Sequence, residues 1–160
     1  MRIATKLTEG DIVRFNFYSF YKKWSIRILN VIMILWIIAV LIFPSIIKNS
    51  NGLIFPALFL VFLPLSVYWS ARKNYKNNKR IFEQIEYVFT EDNFTMTGDS
   101  FNATMTWDKV YKVTKTKRWI LIWQTSSTAN VIPLKDIWDG DVHHLKEILD
   151  KKNVPNNIKY

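Results

Sequence analysis

The stretch ILNVIMILWIIAVLIFPSIIKNSNGLIFPALFLVFLPLSVYWSA, residues 28–71, decides how this 160-residue chain is read. Its middle, IIKNSNG (residues 46–52), is short, polar and rich in turn formers, and it separates two long apolar runs. The twenty residues 28–47 and the nineteen residues 53–71 carry no charge. At 1.5 Å per helical residue each run reaches about 30 Å, the hydrocarbon thickness of a bilayer. Neither has the polar stripe a surface helix needs. A chain this short has no soluble core large enough to hide two helices that are apolar all round. The two runs therefore predict a membrane α-helical hairpin of two transmembrane helices, tipped by IIKNSNG. The alternative is a buried soluble hairpin.

Charge gives the orientation. Residues 1–27 hold six basic and two acidic groups, residues 28–71 only Lys48, and residues 72–80 five basic groups and no acidic one. The remaining residues, 81–160, hold ten basic and eleven acidic groups, so the formal +9 belongs to the flanks of the apolar block. A nucleic-acid binder would carry that excess on its folded domain. Positive charge stays on the cytoplasmic side of a membrane, which predicts cytosolic termini and an external hairpin tip. Tyr18, Tyr21 and Trp24 before the first run, and Tyr68, Trp69, Arg72 and Lys73 at the end of the second, have the chemistry of membrane-interface anchors. The first run starts too late, and is too long, for the apolar part of a cleavable signal peptide.

Pro64 lies deep enough to bend the second span, with Ser66 nearby to satisfy freed backbone groups; Pro44 and Pro56 sit nearer the ends. No ionisable group lies inside either span, which disfavours transport and proton relay. The absence of cysteine rules out a disulfide framework, a thiolate nucleophile and a cysteine zinc site.

Four segments follow: a cytosolic lead-in (1–27), the transmembrane hairpin (28–71), a basic linker (72–80) and a cytosolic β domain with a C-terminal helix (81–160). In the lead-in, Thr8 with Asp11 approximates a capping box. Residues 8–24 read either as an amphipathic helix at the membrane surface or as a plain extension of the first span. The basic linker is either a lipid-phosphate contact or a topology signal only.

From residue 81 the period changes. EYVFTEDNFTMTG alternates as strand, turn and strand; FNATMTW, VYKVTKT, WILIWQT and NVIPL add four more strands. WDGDVHHLKEILDKK reads as a helix with Val142, Leu145, Ile148 and Leu149 as its buried stripe. The expected domain is α+β: a curled antiparallel sheet of about six strands with one helix packed on it and a loose tail, NVPNNIKY.

The LTEGD start, the paired spans, IEYVFTEDNF, TMTWDKVYKV and NVIPLKDI together resemble the YcxB-like family of small bacterial membrane proteins. The resemblance implies a cytosolic C-terminal domain similar to bacterial pleckstrin-homology (PH-like) folds, and no established chemistry or catalytic residue. One departure is NVIPLKDI, where relatives tend to have a basic residue and then an aromatic one after the Ile-Pro.

Lys112, Lys115, Lys117 and Arg118 form a basic hairpin that could contact lipid phosphate or an anionic partner; a solvated strand face with a protected edge has the same pattern. Trp107 is either core or a ligand contact. His143 and Glu147 have helical spacing for a metal pair, but solvated helix residues explain them better and no metal is expected. No nucleophile elbow, phosphate loop or HExxH occurs. The expected function is a non-enzymatic, two-span binding module of the bacterial cytoplasmic (inner) membrane, without cofactor, presenting its domain to a lipid or protein partner, with a homo-oligomer left open. The alternative is an immunity protein against a membrane-inserting toxin, with Phe43, Phe55, Phe59 and Phe62 as the packing surface.

Overall fold

The computed structural model describes residues 1–43 and 53–159, and the backbone alone at Lys79 and Arg80. The hairpin tip IIKNSNG and Pro44 lie outside the described residues.

The chain divides into two compact units. One is helical, residues 9–77. The other joins residues 1–8 to residues 78–160. Residues 1–27 thus divide between the two units instead of forming one lead-in. The reason is strand β1, Arg2–Thr5, which pairs antiparallel with β2, Ile85–Phe89, across the whole helical unit in sequence. Ile3 is buried in the domain's core, the Met1 ammonium donates to the Phe89 carbonyl at 3.0 Å, and the Thr5 hydroxyl donates to Asp136 Oδ2 at 2.5 Å.

Among the described residues the β domain has seven strands where six were expected, in two antiparallel sheets. The first runs in the order β1-β2-β3-β4, with β3 at Asn93–Thr97 and β4 at Asn102–Thr106. The second is β5-β6-β7, at Lys112–Lys115, Trp119–Trp123 and Ala129–Pro133. Alternation in β2 and β3 sends Tyr87, Phe89, Phe94 and Met96 inward. The central strand β6, WILIW, is buried at every position: Ile120 and Ile122 join the main core, and the intervening residues form the opposite face. The final helix, Asp139–Lys151, lays Val142, Leu145, Ile148 and Leu149 into the same core as both sheets, as its 3.6-residue spacing requires. Trp107 is also core. Its ring lies 5.3 Å from Phe94 and 6.1 Å from Phe89, and its indole N–H donates to the Thr90 carbonyl at 3.1 Å.

The expected loose tail is ordered by a Schellman motif. Asn153 takes φ 55°, Val154 N–H donates to the Leu149 carbonyl and Asn153 N–H to that of Asp150. Val154 and Ile158 are buried. The tail then runs beside β5: Val113 N–H donates to the Pro155 carbonyl at 2.9 Å, and Val113 bridges Asn156 in parallel.

Two ion pairs tie the final helix to the β2–β3 turn, Lys151 to Glu91 at 2.9 Å and Lys152 to Asp92 at 2.8 Å. The lysine hydrogen bonds hold both carboxyls below their ordinary range. A depressed folded-state pKa gives stability that is present above the unfolded pKa and lost as the pH falls through the folded one. The pairs should therefore be intact at neutral pH and fail below about pH 4. In thermal melts between pH 7 and pH 3, the K151M/K152M double variant should lose less on acidification than the parent.

In the helical unit, α1 is Glu9–Lys22, α2 is Trp24–Ile42 and α3 is Ile54–Asn77. α2 and α3 are long and apolar enough to cross a membrane. α3 continues through Arg72, Lys73 and Lys76, so most of the expected basic linker is helix. α1 is neither a plain extension of α2, since the backbone at Lys23 is extended, nor free to lay its whole apolar side on a surface. It packs along α3, where Ile12, Val67 and Ala71 are buried and Glu9 meets Arg72 at 2.9 Å. Pro64 leaves the Leu60 carbonyl without its helical donor. The Ser66 hydroxyl donates elsewhere, to the Leu63 carbonyl at 2.7 Å.

Candidate functional site

The basic hairpin is the β5–β6 connection. Lys117 and Arg118 occupy its two-residue turn and are exposed. A two-residue hairpin turn of the common kind needs positive φ, and among the described residues only Asn153 has it outside glycine. A threonine solves the problem. Thr116 N–H donates to the Trp119 carbonyl, and the Thr116 hydroxyl accepts from the N–H groups of Trp119 at 3.0 Å and Arg118 at 3.3 Å. The side chain thus takes over the closing bond of the turn. Thr90 accepts from Asn93 N–H in the β2–β3 turn at 3.1 Å, and Thr125 accepts from Thr128 N–H in the β6–β7 turn at 3.0 Å. A threonine opening each of these three turns is a sequence signal that reading for Gly and Asn passes over.

The four basic residues do not make one patch. Lys112 pairs with Trp123 in the β5–β6 register, and its ammonium stands 5.2 Å from the Tyr111 ring centre and 5.9 Å from that of Trp123, a cation–π arrangement. Lys115 has the opposite strand parity, the same as buried Val113. Asn157 of the tail brackets its backbone, accepting from Lys115 N–H at 2.6 Å and donating to its carbonyl at 3.1 Å. The accessible basic cluster is therefore the turn, Lys117 and Arg118, with Lys115 beneath it. The edge of β5, otherwise open to a partner strand, is occupied by the tail.

The residues expected at a membrane interface all fall in the helical unit. Trp24 and Trp69 are 73% and 62% exposed, and Tyr68 is exposed as well. Tyr18 lies under the Lys22 ammonium at 5.7 Å. Tyr21 stacks on Phe17 at 6.2 Å, and its carbonyl accepts from Arg27 Nε at 2.8 Å. Lys73 is exposed, and Arg72 is committed to Glu9.

On the final helix, Glu147 stands 3.7 Å from His144 Nδ1. Among the described residues, no three His, Asp or Glu side chains converge as a metal site. Burial pushes the Tyr87 phenol well above its ordinary pKa; this is a core tyrosine, not an acid–base group in a cleft.

No curated protein and no solved structure matches the chain. A family profile does, over residues 89–145, from the last residue of β2 into the middle of the final helix. The matched region holds the basic hairpin, Trp107 and Asp136, and leaves out β1, the helical unit and the tail. Residues 89–145 match the family model of the YcxB-like proteins, and the likeness covers that stretch of the chain.

Proposed function

We propose that this is a two-span protein of the bacterial cytoplasmic membrane, with both termini in the cytosol, that presents a PH-like domain as a non-enzymatic binding module to a lipid or protein partner. The observation that carries the membrane placement is exposure. Only 6% of the most apolar stretch of α2 and 17% of that of α3 is buried, whereas the core helix of a soluble protein is mostly covered. Exposed apolar surface costs about 25 cal/mol per Å² in water, and lipid removes that cost.

The β1–β2 pairing supports the orientation. Strand β1 precedes the helical unit and its partner follows it, so the chain must finish on the side where it began. That requires an even number of crossings, in agreement with the basic flanks. Two antiparallel sheets of four and three strands closed by a C-terminal helix support the PH-like assignment. The exposed turn at Lys117 and Arg118 supports an anionic ligand, at about 1 kcal/mol per charge near a lipid surface.

The test places the full chain in neutral-lipid nanodiscs and measures capture of anionic vesicles. Reversing Lys115, Lys117 and Arg118 to Glu should weaken capture at least tenfold and leave the chain in the alkaline-carbonate pellet. Unchanged capture removes the hairpin as the site. Recovery of the untreated chain in the carbonate supernatant removes the membrane placement. Phe43, Phe55 and Phe62 are exposed on the apolar helices and give the immunity reading its packing surface; rescue of cells from a membrane-inserting toxin is the measurement that would favour it.

A further inference from the structure

Within the helical unit, a cavity of about 280 Å³ opens between α1, the start of α2 and α3. Its polar lining is Asn16, Ser19, Lys23, Ser66 and Ser70, backed by Phe20 and Val67. This lining differs from its surroundings. α2 and the first half of α3 are almost wholly apolar, yet three serines, an amide and a lysine converge here.

The donors are available. The Ser66 hydroxyl is taken by the Leu63 carbonyl, and Asn16 Nδ2 donates to the Ile12 carbonyl at 2.9 Å, which leaves the Asn16 carbonyl oxygen as an acceptor. The hydroxyls of Ser19 and Ser70 and the Lys23 ammonium have no protein partner among the described residues. No carboxylate lines the cavity. Two hydroxyl donors and one cation suit an anionic oxygen group, and a nearby amide carbonyl suits a hydroxyl attached to it. The volume approaches the lower end of small-molecule sites and fits a headgroup fragment rather than a single water.

A second cavity of about 360 Å³, lined by Ile32, Met33, Trp36, Phe55 and Pro56, lies further along α2 and α3. Ile32 is nine residues beyond Lys23, a rise of about 14 Å, close to the depth of one leaflet, about half of 30 Å. A phosphate ester held at Lys23 would place an acyl chain along α2 and α3 towards this apolar recess.

We infer that the cavity between α1 and α3 is a binding site for the phosphate headgroup of an anionic glycerophospholipid of the cytosolic leaflet. The inference rests on the membrane placement proposed above. The bound lipid bridges α1 to the spans and joins the Glu9–Arg72 ion pair in fixing α1 against α3.

The test uses the full chain in nanodiscs of equal phosphatidylglycerol and phosphatidylcholine, released into the gas phase for native mass spectrometry. The parent should retain one phosphatidylglycerol per chain, in about tenfold preference over phosphatidylcholine. The S19A/S70A/K23Q variant should lose that preference about tenfold. Alanine suits a helix better than serine, and helical circular dichroism equal to that of the parent establishes that α1 is intact. An S70L variant, which fills the cavity without removing its charge, should lose retention equally. Excess glycerol phosphate that strips the lipid would assign recognition to the phosphate ester alone; failure to strip it would assign recognition to the whole lipid, and both results support the site. Equal retention by parent and variants, or no preference between the two lipids, overturns it. A carbonate pellet with no retained lipid defeats this site alone, whereas a carbonate supernatant defeats the membrane placement and this site together.

Discussion

Replacing residues 9–77 by a short Gly-Ser linker should give a folded, water-soluble β domain, and removing residues 1–8 from that chain should leave it unfolded. The two halves of the domain meet at β1, where Arg2 to Thr5 pair in sequence with Val88 to Ile85. The ends to be joined are therefore adjacent, and a short linker adds little closure entropy. Strand β1 contributes a full edge of the first sheet together with buried Ile3 and Thr5. Truncating one buried isoleucine costs about 2–5 kcal/mol, a large share of the roughly 5–15 kcal/mol that holds a small domain together. Loss of the whole strand exceeds what the rest can absorb. In the full-length chain, I3D adds an unpaired buried charge and should have the same effect on the domain while leaving the helical unit intact. Tryptophan emission reports the domain, since Trp107, Trp119 and Trp123 are buried. A native spectrum from the chain lacking residues 1–8 would show that β1 is dispensable.

The second large effect is expected at the other end. Stopping the chain after Lys152 removes Val154 and Ile158, each buried and each contributing about 1.5–3 kcal/mol. It also removes the hydrogen bonds that Pro155 and Asn157 make to Val113 and Lys115. The melting temperature of the domain should fall by about 10–20 °C. The bared edge of β5 should then recruit other chains, visible as concentration-dependent association in size-exclusion chromatography. Substituting Asn153 by Val, a β-branched residue that resists positive φ, should reproduce part of the loss without shortening the chain. A truncated chain with unchanged melting and mass would return the tail to a passive role.

The two long apolar helices were legible because their signal is local and long: an uncharged run of nineteen or twenty residues needs no partner to be recognised. Strands β2 to β7 were legible from alternation and turns. β1 was not, because RIAT is four residues long and its pairing partner lies beyond the helical unit. Composition near the N-terminus pointed to the membrane, and only tertiary pairing drew those residues into the domain. The order of the tail was hidden for a different reason. Composition alone makes NVPNNIKY look loose, although αL-tolerant Asn, then an apolar residue, then Pro is the sequence of a helix stop that folds back. For the candidate site, counting lysines found the hairpin but not its faces. Strand parity sends Lys112 to the Trp123 side, and the tail reaches Lys115 from the other edge. The serine-lined cavity had no linear signature, since Asn16, Ser19, Ser66 and Ser70 meet only when α1 packs on α3.

The placement of β1 ahead of the helices has a biosynthetic consequence. During synthesis that strand stays without a mate until the whole helical unit has been made and Ile85–Phe89 has emerged. On the two-span placement proposed above, failure of either helix to insert would leave the strand and its mate on opposite sides of the membrane. The domain would then stay unpaired at β2 and open to proteolysis. On that placement, completion of the sheet would depend on both helices having crossed.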